Sequence, residues 1–206
     1  MACRQVLRRA LSVGSARQTD RVTLAWAVIP APPPLRQLTV GVTDIGVLCL
    51  AFDGPGDGSG ERAMVAAARR TGRTLVDDPA RTAPAVTQLR DYLAGGLRRF
   101  DLPLDWSLAT GTHREVLQTL YDDVGYGQTT TYGELARISG IFPAADGVLG
   151  ARAVGTIMGA NPLPVLVACH RVLAADGLGG FGGGLPAKRW LLELEGALPP
   201  TLDFGG

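Results

Sequence analysis

The chain has 206 residues, 46% of them hydrophobic and 19% charged, with a formal net charge of +1. That is enough apolar material for one large or two small cores, and so small a net charge excludes a global field that draws in a polyanion; any nucleic-acid binding has to come from a local face. Three cysteines (Cys3, Cys49, Cys169) and two histidines (His113, His170) match no zinc or thioredoxin-type spacing, which argues against a disulfide scaffold or a histidine-rich metal site and for a reducing compartment, cytoplasmic or, in a eukaryote, nuclear.

No apolar run is long enough to span a membrane. Of the 20 basic residues only Lys188 is a lysine, a bias that codon composition alone can produce. The first residues carry Arg4, Arg8, Arg9 and Arg17 without an acid before Asp20, as transit peptides do. We read residues 1–20 as a disordered extension and leave them out of the fold argument. Val22 to Ile29 predicts a first strand, stopped by the prolines of 30–34. Leu38 to Val42 and Ile45 to Phe52 predict a hairpin around Thr43-Asp44. Asp53 to Gly60 is a glycine-rich loop. Glu61 to Arg70 has helical composition and ends near Gly72, Leu75-Val76 is a short strand, and Ala83 to Ala94 carries Val86, Leu89, Tyr92 and Leu93 at helical spacing. Strands followed by helices predict an α/β (α+β) domain with a small mixed or antiparallel sheet over 21–105. Asp44, Asp53, Asp77 and Asp78 read as turn formers and caps rather than as a metal cluster.

After Asp105 the pattern becomes helical. Thr112 to Val124 carries Val116, Leu117, Leu120 and Tyr121 on one face. Tyr132 to Ile138 is opened by Thr131 with Glu134 three residues on, a capping-box pattern. Gly150 to Gly159 is a second short helix with a small-residue surface: Ala151, Ala153, Gly155, Gly159. Two short helices around a turn predict a helix-turn-helix inside a mostly helical domain over 106–198, followed by a tail over 199–206. Val165 to Ala168 is an apolar run that delivers Cys169 and His170 side by side, with Asn161 before it and the glycine-rich 177–184 after it. A thiol placed so is a candidate nucleophile; by itself it is equally an inert core cysteine.

Taken together, Thr131-Tyr132-Gly133-Glu134-Leu135-Ala136, Ala151-Arg152-Ala153-Val154-Gly155, Asn161-Pro162-Leu163-Pro164, Cys169-His170-Arg171-Val172, Gly182-Gly183-Gly184-Leu185, Lys188-Arg189-Trp190-Leu191-Leu192 and Glu195-Gly196 resemble, in order, the O6-alkylguanine-DNA alkyltransferases. The resemblance covers roughly residues 112–196. It implies a ribonuclease H-like N-terminal domain and a winged-helix-like C-terminal one. It implies direct, single-turnover transfer of an alkyl group from O6 of guanine in double-stranded DNA to Cys169, with O4-alkylthymine left open as a second substrate, no diffusible cofactor, no metal, and a monomer. His170 would serve as base through a water and Glu195 would orient it, as the third member of a triad does. Asn161 would buttress the loop. The base would be flipped out of the duplex, with Tyr132 turning the nucleotide, Arg152 filling the gap, and Met158, Val172, Phe181 and Gly182 lining the pocket. Each of these has a plainer reading alone: Tyr132, Met158 and Phe181 as core, Arg152 as a surface arginine, Asn161 as a cap, Glu195 as an exposed helical carboxylate. Lys188 reads either as a phosphate neighbour or as a solvated lysine.

Three positions depart from the family pattern. Ala168 stands where proline is usual, Phe181 where tyrosine is usual, and the turn over 140–150 is longer. Ala168 is expected to loosen the site, because proline would fix φ. The basic residues after Thr130 do not outnumber the acids, so the salt dependence of DNA binding is expected to be shallow. Three other readings compete: a non-repairing module that recognises alkylated DNA, a helix-turn-helix transcription regulator, and a Cys-His hydrolase. The last would turn over many times and leaves Arg152 and Tyr132 without a purpose.

Overall fold

The computed structural model describes residues 22–53, 58–143 and 147–200. The extension over 1–20, Cys3, part of the 53–60 loop, part of the 140–150 turn and most of the tail lie outside the described residues. The architecture is α+β, with a four-stranded mixed sheet and, among the described residues, six α-helices.

The sheet has the order β3-β2-β1-β4, from β1 (Thr23–Pro30), β2 (Gln37–Val42), β3 (Val47–Asp53) and β4 (Thr74–Val76). β1 pairs antiparallel with β2, and β2 with β3 across an irregularity at Gly41/Val42. β4 joins β1 in parallel, which requires a crossover, and α1 (Ser59–Thr71) supplies it. Strand alternation sends Leu24 and Cys49 toward α1, where Met64, Ala67 and Ala68 cover them. It sends Ile29, Leu38 and Val40 to the opposite face, against Ala85, Leu89, Tyr92 and Leu93 of α2 (Pro79–Leu93). α2 begins four residues earlier than its apolar periodicity suggests, because Asp78 accepts from the Arg81 N–H as N-cap and Pro79 is tolerated in the first turn.

α3 (Gly111–Asp123) buries Val116, Leu117 and Leu120. α4 (Tyr132–Ile138) and α5 (Gly147–Gly159) pack through Leu135, Ala136 and Val154. They come close because Gly150 lacks a Cβ, which would meet that of Ala136 at 3.2 Å. Half of the expected capping box forms. Thr131 Oγ1 accepts from the Glu134 N–H at 3.1 Å, while the Glu134 carboxylate takes a two-pronged bond from Arg137. α6 (Leu185–Leu194) closes the chain.

The two halves meet along β3. Its outer edge is covered, not exposed: Leu50 N–H donates to Pro162 O at 2.8 Å, and Val47 exchanges hydrogen bonds with Pro103 and Asp105. One continuous cluster of buried apolar residues runs from Ile29 in β1 to Leu191 in α6. The loop carrying the cysteine therefore hangs on the sheet's edge strand.

Candidate active site

The segment 161–168 is neither strand nor helix, and from Leu163 on it is buried, as its apolar composition requires. Side-chain hydrogen bonds hold it instead. Asn161 Nδ2 donates to Val167 O at 2.8 Å and its Oδ1 accepts from Leu163 N–H at 2.9 Å, so one amide pins both ends of the turn. Val165 sits at φ 74°, a left-handed conformation that a β-branched residue adopts only under constraint, at a cost of about 1–3 kcal/mol. Ala168 has φ −77°, inside the range proline would impose, so the backbone there already has the shape expected of proline. A single 3-10 turn, Cys169–Arg171, follows, with all three residues buried.

Two short parallel strands then set the geometry across the site. β5 (Thr130–Thr131) pairs with β6 (Val172–Leu173). The first runs straight into Tyr132 and the second straight out of Cys169-His170-Arg171, so this small ladder fixes the tyrosine relative to the thiol. Tyr132 is half-buried and its hydroxyl reaches Gly180 O at 3.4 Å. Gly179 permits this: its φ is 69°, and a Cβ there would lie 2.9 Å from the tyrosine ring.

Cys169 lines a pocket of about 270 Å³ together with Tyr132, Gly155, Met158, Gly159, Gly180, Phe181 and Gly182. Phe181 packs edge-on against Phe52 of β3 at 5.2 Å and against His170 at 6.3 Å. Burial pushes the Cys169 thiol above its ordinary value; a hydrogen bond from Asn161 and the charge of Lys188 pull against that. Lys188 is neither solvated nor a phosphate neighbour. It is fully buried, and its ammonium donates to the carbonyls of Val172 (2.6 Å), Leu178 and Gly180 (3.2 Å). Burial lowers its pKa to about 8, with the cysteine opposing.

Beneath the thiol lies a buried polar network. His170 Nε2 is 2.9 Å from Glu195 Oε1. Glu195 is buried, contrary to the plain reading of an exposed carboxylate, and it also accepts from Arg171 Nε (2.8 Å), Arg171 Nη2 (2.9 Å), Tyr92 Oη (2.6 Å) and the Gly127 N–H (3.2 Å). Burial alone would raise its pKa. The hydrogen bonds of His170 and Arg171, and then their charge, reverse this and hold the carboxyl well below the usual carboxylate range. Of the two, Arg171 is the permanent cation, because burial pushes the His170 imidazole down toward its neutral form despite the carboxylate. A neutral ring whose Nε2 proton points at Glu195 presents its lone pair at Nδ1. That atom is buried and has no hydrogen-bond partner among the described residues.

Cys169, His170, Glu195, Asn161, Tyr132, Met158, Phe181 and Gly182 are thus brought together. Val172 is close by but is not among the pocket-lining residues; its carbonyl is spent on Lys188. Arg152 stands apart. It is exposed on α5, and its guanidinium makes no ion pair or hydrogen bond with the described residues. The sequence reading missed Tyr92, Arg171 and Lys188. Lys188 was findable, since Ala187, Lys188, Leu191, Leu192 and Glu195 share one buried helical stripe. Among the described residues no group of His, Cys, Asp or Glu could hold a metal, and no helix is long and apolar enough to cross a membrane.

Residues 111–197 match the family model described as 6-O-methylguanine DNA methyltransferase, DNA binding domain. A methylated-DNA–protein-cysteine methyltransferase of Mycobacterium tuberculosis is 44% identical over 125 residues, 60% of this chain and 71% of that one. One from Methanopyrus kandleri is 48% identical over 99 residues, 48% and 68% of the two chains. The crystal structure of Mycobacterium tuberculosis OGT in complex with DNA is similar at a TM-score of 0.64 and 34% identity, covering 86% of this chain and 96% of that one. The O6-methylguanine-DNA methyltransferase of Pyrococcus kodakaraensis gives 0.59 and 27%, covering 84% and 99%.

Proposed function

The chain belongs to the methylated-DNA–protein-cysteine methyltransferase family, and from that premise we propose that Cys169 takes the alkyl group from O6-alkylguanine in double-stranded DNA in a single turnover. The observation that carries this is the thiol in the pocket wall, followed directly in the chain by an imidazole whose Nδ1 is buried without a hydrogen-bond partner among the described residues. The sulfur attacks the alkyl carbon, the carbon–O6 bond breaks, and its electron pair leaves with the guanine. The thiol proton is relayed to His170 Nδ1, and the guanine anion is protonated in turn. The thioether has no leaving group, so the protein is spent.

Each residue has a task in this scheme. Glu195, held ionised by Arg171, stabilises the imidazolium that forms on His170. Lys188 places a cation where the thiolate develops, lowering the cost of a charge that burial disfavours. Asn161 fixes the loop and donates toward the sulfur. Tyr132, Met158, Phe181 and the glycine backbone hold the extruded base, with Phe181 offering an edge and no hydroxyl. Val172 acts behind this wall, through the carbonyl that anchors Lys188. Arg152, exposed and uncommitted, enters the duplex with the small-residue face of α5 and occupies the space the base vacates. We keep the division into a ribonuclease H-like 21–105 and a winged-helix-like 106–198, the monomeric state and the cytoplasmic location as parts of this reading, and O4-alkylthymine as an open second substrate.

The test is a duplex carrying O6-[methyl-³H]methylguanine mixed with rising amounts of protein. Label moving to protein and stopping at one methyl per chain is the expected result. Continued turnover would point to a hydrolase. Tight binding of the lesion without movement of label would replace repair with recognition alone.

A further inference from the structure

Tyr92 lies on α2, in the sheet-bearing half, 103 residues from Glu195 in sequence. Its ring is buried against Phe100 at 5.1 Å and Tyr126 at 6.3 Å, which packing alone explains. Its hydroxyl is different. It donates to Glu195 Oε1 at 2.6 Å, a short charge-assisted bond, and that is the same oxygen that holds His170 Nε2 at 2.9 Å.

We propose that Tyr92 is a positioning residue that sets the protonation midpoint of His170 by sharing its carboxylate oxygen; the consequence for catalysis rests on the function proposed above. An oxygen that accepts a strong phenol bond has less electron density for the imidazole, so it stabilises an imidazolium less. Tyr92 thereby keeps His170 neutral, and so able to accept a proton, at lower pH than Glu195 and Arg171 alone would. The phenol remains a donor throughout, because burial and the neighbouring carboxylate push its own pKa well up.

The other groups facing this pair are accounted for. Arg171 grips both carboxylate oxygens from the 3-10 turn, and the Gly127 N–H bonds the second oxygen. The charges of Lys188 on α6 and of Arg171 act on the imidazole, and the Phe181 ring packs edge-on to it at 6.3 Å. The Tyr126 hydroxyl is committed to Leu194 O at 2.9 Å, with Arg98 over its ring at 5.7 Å. Of these contacts, the phenol is the one by which α2 bears on the carboxylate.

The experiment follows the His170 imidazole by NMR from pH 4 to 8 in the full chain, with His113 as internal reference. Two changes at one position move it in opposite directions. Tyr92→Phe keeps the ring and deletes the bond, and is expected to raise the midpoint by roughly half to one unit. Replacing Tyr92 by 3-fluorotyrosine makes a stronger donor and is expected to lower it. If Tyr92→Phe fails to fold, the fluorinated protein carries the test alone. A midpoint unmoved by either change overturns the proposal, as does movement of both in one direction. Single-turnover transfer rates supply the second readout: the ratio of Tyr92→Phe to parent should fall as pH falls, and a ratio constant across pH would reduce Tyr92 to packing. Should the parent transfer no methyl, the proposed function fails, while the NMR midpoint still decides the role of Tyr92.

Discussion

Cys49 and Cys169 are both buried cysteines, yet their surroundings share little. Cys49 lies on β3 under α1, with its sulfur 3.6 Å from that of Met64 and the side chain of Leu24 in the same cluster. Burial, with the charge of Asp105 adding to it and the Gly41 backbone only partly opposing, pushes that thiol up to about 12. Cys169 is equally buried, but Asn161 donates toward it, Lys188 supplies a positive charge, a pocket opens onto it and His170 follows it in the chain. Burial by itself makes a silent thiol. A reactive one needs a cation, a donor and a base built into the same dry place, and each of those is a buried polar group that must be satisfied in turn. The three carbonyls around Lys188 and the five bonds to Glu195 are that satisfaction.

Swapping what surrounds the two sulfurs should break the comparison in graded steps. The largest effect is expected from Cys169→Ala, which should abolish methyl transfer while leaving lesion binding measurable by gel shift. Lys188→Met removes the cation and leaves the three carbonyls unpaired; the single-turnover rate should drop roughly 10- to 100-fold, as loss of an opposite charge beside a thiolate implies.

Glu195→Gln should act on stability as well as rate. It leaves Arg171 buried without its partner, at a cost of about 3–5 kcal/mol in chemical denaturation. The sign of the pH dependence follows from the depressed carboxyl pKa. The unfolded chain takes up the proton first, so the contribution of Glu195 is complete above its ordinary value of 4.5 and is lost as pH falls below that value. The parent should therefore lose stability more steeply than Glu195→Gln in that acidic window. A common slope would mean the carboxylate is not held as described.

Arg152→Ala lies outside the buried network. It should weaken lesion binding by about tenfold, as one lost DNA contact does, with little change in the transfer rate once the base is captured. Cys49→Ala should do least: about 1 kcal/mol of stability and an unchanged transfer rate.

The same contrast explains what the sequence made legible. Adjacent features were plain, because local patterns carry them: the Cys169-His170 pair, the Thr131 cap before Tyr132, the amphipathic α3. Features made by the fold were not. Tyr92 sits in an apolar helical stripe with Leu89 and Leu93, and nothing local says its hydroxyl meets a carboxylate from the far end of the chain. Glu195, set beside His170 through the resemblance alone, and Lys188 read by themselves as surface residues because charged side chains usually are, yet they bracket one buried stripe of α6. The start of α2 was hidden by Asp78-Pro79, a pair that signals a turn as readily as a helix N-terminus. The run Val165 to Ala168 was rightly read as buried, but the rigidity of the loop around it comes from Asn161 and could not be read from apolar composition.

The most direct test of the account is where a methyl group ends up. The full chain is incubated with a duplex containing O6-methylguanine, its intact mass is measured, and the peptides carrying Cys49 and Cys169 are compared. One methyl on Cys169 and none on Cys49 is the predicted result. Methyl on Cys49, on both cysteines, or on neither with the lesion consumed would contradict the claim that the surroundings of Cys169, rather than the presence of a buried thiol, make this chain an acceptor.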